Sequence, residues 1–127
     1  MDVEVNRPEV VAEVLALFEQ YEQALISGDV AVLDACFWDS PHTVRLAVKE
    51  NCYGFAAIHA ARVAMAPGGS KEKRVRLEVL TLGRDLATVN LEYLARPSGR
   101  TGRQSQTWVR FPEVGWRVVS AHVSLMD

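Results

Sequence analysis

Cysteine is scarce: of 127 residues only Cys36 and Cys52 carry thiols. Two are too few for a disulfide framework, so a reducing cytoplasm is the expected setting, with both thiols as small buried apolar groups. An excess of positive charge is also missing. The net charge of −2 gives no reason to expect nucleic acid or an anionic membrane as partner. No apolar run approaches the ~20 residues of a membrane span, and the N-terminus lacks a signal-peptide core. His42, His59 and His122 show no metal-ligand spacing and neither cysteine joins them, so no metal is expected. Phosphate loops, dinucleotide fingerprints and a Gly-x-Ser-x-Gly elbow are absent, and with them any expected cofactor or nameable nucleophile. Repeats and low-complexity tracts are absent too.

What is present suits one domain over residues 1–127, about half apolar and about a quarter charged. Asn6 and Glu9 are placed to cap a first helix, with Pro8 in its first turn. Val10, Val14, Leu17, Phe18, Tyr21, Ala24 and Leu25 form its apolar stripe, and Ser27-Gly28 ends it. Asp29 caps a short second helix through Cys36, and Asp39-Ser40-Pro41 breaks the chain after Phe37-Trp38. Thr43–Val48 alternates as a strand, with Thr43, Arg45 and Ala47 on one face and Val44, Leu46 and Val48 on the other. Asn51–Gly54 reads as a turn. Phe55–Ala66 reads as a third helix with Ile58, Ala61, Arg62 and Met65 on one stripe, followed by a Pro67-Gly68-Gly69-Ser70 loop.

Four strands follow, over 73–82, 86–94, 102–111 and 115–124. Val75, Leu77 and Val79 share a face of the first; Ala87, Val89, Leu91 and Tyr93 point inward from the second. The third carries Gln104, Gln106 and Trp108 on one face. Amides beside a large aromatic suit a strand lining a wet or ligand-filled cavity better than a plain core. His122 falls on the face of Trp116, Val118 and Ser120 in the last strand, as a structural or interface group. Helices first and an antiparallel meander afterwards give an α+β fold: three N-terminal helices packed in a strongly curved antiparallel sheet. Such a sheet packs helices on one side only, so Trp116 and Val118 are expected on an exposed apolar face that would support a homodimer or larger homo-oligomer.

Two side chains stand out chemically. Tyr21 on the first helix's apolar stripe is either a core tyrosine or a phenol aimed into a cavity, able to donate a proton or hydrogen bond. Arg45 is either a surface arginine or, if its face points inward, a group that demands an anion. His59 and Arg62 are placed to edge a pocket mouth or to be solvated.

Three helices and a meander ending in Gly-Trp-Arg-Val-Val-Ser-Ala-His-Val-Ser resemble the nuclear transport factor two-like superfamily, a cone-shaped fold. Phe37-Trp38, Ser40-Pro41, Thr43-Val44-Arg45, Gly102-Arg103-Gln104-Ser105-Gln106-Thr107-Trp108 and Ala121-His122-Val123-Ser124 together resemble the AtzH/HpxZ-type family along the whole chain. That resemblance implies a functional link to amidases in bacterial catabolism of nitrogen-rich compounds, cyanuric acid or oxalurate. It implies conversion of 1,3-dicarboxyurea to allophanate, with a first-helix tyrosine and an arginine after the Ser-Pro turn matching Tyr21 and Arg45. On this reading Arg45 binds a substrate carboxylate and Tyr21 donates a proton. Trp38, Tyr93 and Trp108 wall the pocket, and Gln104 or Gln106 orients the urea. The alternative is a non-catalytic accessory protein for a partner amidase.

Overall fold

The computed structural model describes residues 3–127. Helix α1 spans Pro8–Ser27, α2 Val30–Cys36 and α3 Phe55–Ala64. Strands β1 (Val44–Leu46) and β2 (Asn51–Tyr53) are short, whereas β3 (Lys71–Leu82), β4 (Leu86–Ala95), β5 (Thr101–Phe111) and β6 (Gly115–Leu125) are long. They form one sheet in the order β2-β1-β6-β5-β4-β3. The expected α+β architecture holds: three helices pack against a curved open sheet of six strands. Among the described residues no helix is long and apolar enough to cross a membrane.

The first helix buries the expected stripe of Val10, Val14, Phe18, Tyr21 and Ala24. Gly28 ends it in the left-handed conformation, donating its N–H to the Ala24 carbonyl. Its start differs from expectation. Asn6 does not cap the helix; it has a positive φ and pairs with β3 instead. Its N–H donates to Thr81 O and its Oδ1 accepts from Thr81 N, at 2.9 and 2.8 Å. The amide side chain satisfies an edge-strand N–H better than a helix terminus that already opens on proline. Glu9 pairs with Arg7. Asp29 caps α2 as expected, accepting from Val32 N.

Further corrections concern the sheet and the end of α3. Asn51–Tyr53 is a strand pairing antiparallel with β1, not a turn, and β1 itself pairs parallel with β6. The connection from β1 to β6 runs through everything between, so the sheet is not a pure antiparallel meander. Strand β1 is shorter than 43–48, because the chain turns over residues 47–50, and α3 stops at Ala64. Val75 is exposed although Leu77 and Val79 face inward, because the β3–β4 register shifts between Arg74 and Arg76.

The last correction changes the predicted surface. Trp116 and Val118 are buried, at 6% and 0% exposure, with Trp116 Nε1 donating to Glu13. A register shift at Thr107/Trp108 inserts one residue into β6, pairing Thr107 with Ser120 and Trp108 with Val118. Side-chain parity therefore flips along the strand: Trp116 and Val118 face in, then Ala121 faces in, and His122 faces out. The homodimer expected from an exposed Trp116 and Val118 loses that ground.

The core runs through Phe18, Leu33, Phe37, Ile58, Val89, Trp108 and Val118. On β4, Ala87, Val89, Leu91 and Tyr93 point inward as expected. Gly102 lies opposite Tyr93 across β4–β5, and the Tyr93 ring lies against the Gly102 backbone, where a Cβ would overlap it. Gly102→Ala is expected to destabilise the protein by roughly 1–3 kcal/mol through this overlap. Adding Tyr93→Leu should recover part of the loss. Thermal melts of both variants check it; equal stability of Gly102→Ala and wild type contradicts the packing described.

Candidate functional site

A cavity of about 560 Å³ opens between α1, α3, the segments 45–50 and 66–74, and the inner sheet face. Tyr21, Glu22 and Leu25 reach it from α1, Arg62 and Met65 from α3, and Tyr93, Gln104 and Val123 from β4, β5 and β6. The helices bring these groups there by periodicity: Tyr21, Glu22 and Leu25 continue the Phe18 stripe, and Arg62 continues Ile58. Six basic side chains, Arg45, Lys49, Arg62, Lys71, Lys73 and Arg74, face three carboxylates, Glu22, Glu50 and Glu72. The cavity is thus cationic in a chain whose net charge is −2, and favours an anionic occupant.

Arg62 is the least ordinary group. It is 1% exposed, and its Nη2 donates to the Tyr21 hydroxyl at 2.8 Å. Its Nε and Nη1 have no hydrogen-bond partner, and among the described residues it enters no ion pair. The guanidinium lies 5.4 Å from the Tyr21 ring centroid and 5.2 Å from that of Phe37. Cation–π attraction offsets only part of its desolvation, on the order of 1–2 kcal/mol per ring. Arginine stays protonated, so this charge cannot be relieved by losing a proton. A buried charge with unpartnered donors, on a residue that lines an open cavity, is one that an anion would satisfy. Because Tyr21 accepts from Arg62, its own O–H remains as a donor.

Arg45 also lines the cavity but already has a carboxylate partner, Glu50, at 3.2 Å. Glu22, 7% exposed, is held by Lys71 Nζ at 3.2 Å and Gln104 Nε2 at 3.4 Å, with Arg74 at 3.8 Å. Lys71 also sits over the Tyr93 ring, 5.2 Å from its centroid. Burial pushes the Tyr93 phenol up from its ordinary value, and the negative charge of Glu22 adds to that.

Of the residues named from sequence, Tyr21, Arg45, Arg62, Tyr93 and Gln104 line this cavity, and Trp38, His59, Gln106 and Trp108 do not. Gln106 Oε1 accepts from Trp108 Nε1 at 3.0 Å, so the strand satisfies its own amide and indole inside the core. Trp38 stacks on Phe111 at 5.0 Å, and its amide donates to Val118, opposite Trp108, farther along β5 from Gln104. His59 pairs with Asp34 at 2.6 Å on the outer side of α2 and α3. Glu22 and Lys71 were not anticipated. Glu22 had a signal, since it sits four residues after Phe18 on a face that should be apolar.

The fold is that of the nuclear transport factor two-like superfamily. A superfamily member from Salmonella enterica superposes with a TM-score of 0.72 at 22% identity, covering 94% of this chain and 92% of its own. Two solved structures are much nearer. A protein of unknown function from Pectobacterium atrosepticum is 45% identical with a TM-score of 0.90, covering 97% of this chain and 95% of its own. A cystatin-like fold protein from Burkholderia xenovorans is 42% identical with a TM-score of 0.93, covering 99% and 98%. Residues 3–127 match the AtzH-like family, and the chain belongs to it. No curated protein matches.

Two outcomes follow from the site's electrostatics. Replacing Arg62 by Met removes an uncompensated buried charge, so the empty protein should melt at or above the wild-type temperature, while stabilisation by added small dicarboxylates disappears. A melting temperature well below wild type would mean that Arg62 is a structural group. Secondly, the raised Tyr93 phenol is neutral in the folded state, so its contribution to stability is full below the unfolded value of about 10 and is lost as pH rises through the folded value. Ultraviolet titration of Glu22→Gln should show Tyr93 ionising at lower pH than in wild type.

Proposed function

We propose that the protein is a small enzyme that removes one N-carboxyl group from 1,3-dicarboxyurea to give allophanate, with no cofactor. The observation that carries this reading is the buried Arg62 guanidinium, partnered by Tyr21 and by no carboxylate, in a cationic cavity. Membership of the AtzH-like family supports the same direction. The substrate is a dianion with a carboxylate at each end. Arg62 takes one carboxylate through its free N–H groups, and Arg45 meets the other, exchanging its exposed partner Glu50 for it.

The chemistry then needs one proton. Tyr21 donates its hydroxyl proton to the carbamate nitrogen. The bond between that nitrogen and the carboxyl carbon breaks, its electron pair stays on nitrogen, and the carboxyl group departs as carbon dioxide. Arg62, already bonded to the phenol oxygen, balances the charge left there until solvent returns the proton. No covalent nucleophile is required, because a protonated carbamate nitrogen is a good leaving group. The fold alone does not decide the matter, since the same cone carries enzymes and binding proteins.

The assay is loss of carboxyl groups from freshly generated 1,3-dicarboxyurea, against its spontaneous rate. Wild type should accelerate it. Tyr21→Phe should lose about two orders of magnitude in turnover, the usual size of a lost proton donor. Its melting temperature should fall by several degrees and no more, since Arg62 loses its one hydrogen-bond partner while the ring that packs on Phe37 is retained. An active but destabilised Tyr21→Phe would make Tyr21 a core residue, and a wild-type rate equal to the spontaneous one would sink the enzyme.

A further inference from the structure

Glu22 is the buried one of the three carboxylates that line this mainly basic cavity. It is nearly buried on α1, directly after the proton-donating Tyr21, and it lines the same space as Arg62. Its Oε2 is occupied by Lys71 and Gln104, whereas Oε1 has only Arg74 nearby, at 3.8 Å, beyond hydrogen-bond reach. A carboxylate next to the site of a dianionic substrate repels it unless it meets a donor on that substrate. A donor on the linker between the two carboxylates would meet that need.

Gln104 sharpens this. A carboxylate only accepts hydrogen bonds, so the amide of Gln104 must turn its nitrogen to Glu22. That fixes its carbonyl oxygen as the free end. Glu22 Oε1 and the Gln104 carbonyl oxygen are therefore the acceptors that these two cavity-lining side chains have left unused. A ketone or ester has nothing to give such a pair, whereas a urea carries two N–H groups on either side of one carbonyl.

We propose that Glu22, oriented by Lys71 and Gln104, is the specificity-determining residue that reads the urea N–H groups of a dicarboxylate held at Arg62. It rests on the reading of the cavity as a site for a carboxylated urea, and it adds the requirement that the linker between the carboxylates donate hydrogen bonds. The role is recognition by contact with the substrate, distinct from the proton transfer assigned to Tyr21.

The test uses two stable dicarboxylates that differ only in the linker: the urea of two glycines joined through carbonyl, and 4-oxoheptanedioate, in which each N–H becomes CH₂. Calorimetric titration of wild type should show the urea bound about tenfold tighter or more, as expected for hydrogen bonds to a charged acceptor. In Glu22→Gln the ratio should fall to within about threefold. The double variant Glu22→Gln/Lys71→Met removes both charges together and guards against a fold weakened by an unpaired Lys71; it should show the same loss of preference. Equal binding of the two probes to wild type, no binding of either, or an undiminished preference in both variants overturns the proposal. These outcomes separate from the catalytic reading. Acceleration of dicarboxyurea breakdown with a preference indifferent to Glu22 defeats only the role of Glu22. A Glu22-dependent preference without acceleration defeats only the enzyme.

Discussion

A guanidinium that cannot lose its proton is buried beside a cavity with two of its donors free. The arrangement around Arg62 depends on that fact. Removing an arginine from water without a counter-ion costs several kcal/mol even after relaxation. Two aromatic rings and one phenol oxygen recover a part of it. The remainder is available to whatever anion enters, because binding then satisfies donors that the empty protein leaves unmet.

The rest of the fold makes that burial possible. Long strands β3–β6 curve round the helices, with register shifts on β3 and at Thr107/Trp108 where the sheet must bend. Trp108, Phe37, Phe18 and Val118 fill one part of the interior. Near the other ends of β4 and β5 the lining is polar or shortened: Gly102 accommodates the ring of Tyr93, and Gln104 lines the cavity, bonded to Glu22. Packing at one end and a cavity at the other follow from the order of residues along single strands. Tyr21 sits between the two, its ring tilted against Phe37 and its hydroxyl bonded to Arg62.

Much of this was legible in the chain. Helical stripes, the Gly28 and Asp29 caps, and the inward faces of β4 and β5 are local patterns, and local patterns survive folding. Tyr21, Arg62 and Gln104 drew notice because polar groups lay on apolar faces. What failed was non-local. The residue inserted in β6 changes which side chains face inward, and nothing in Val118-Val119-Ser120 marks it; only pairing with β5 does. The parallel partnership of β1 and β6 joins residues more than seventy positions apart. Asn6 looked like a helix cap because a side-chain amide can serve a helix terminus or an edge strand, and only the fold brings β3 beside it. Trp108 and Gln106 satisfied each other, an outcome that alternation alone does not reveal.

Which of Arg62 and Arg45 lacks a carboxylate partner was also out of reach from sequence, since both are arginines near apolar neighbours. Only the structure distinguishes the one with a carboxylate partner, Arg45 with Glu50, from the one without. The most direct test is a crystal structure of the protein with 3-oxoglutarate, the carbon counterpart of dicarboxyurea in which each N–H is CH₂. One carboxylate should lie within about 3 Å of a free Arg62 nitrogen and of the Tyr21 hydroxyl, the spacing of a charge-assisted hydrogen bond. A ligand held only by Arg45 and the lysines, with Arg62 still unpaired, would contradict the assignment of the buried arginine as the anion anchor.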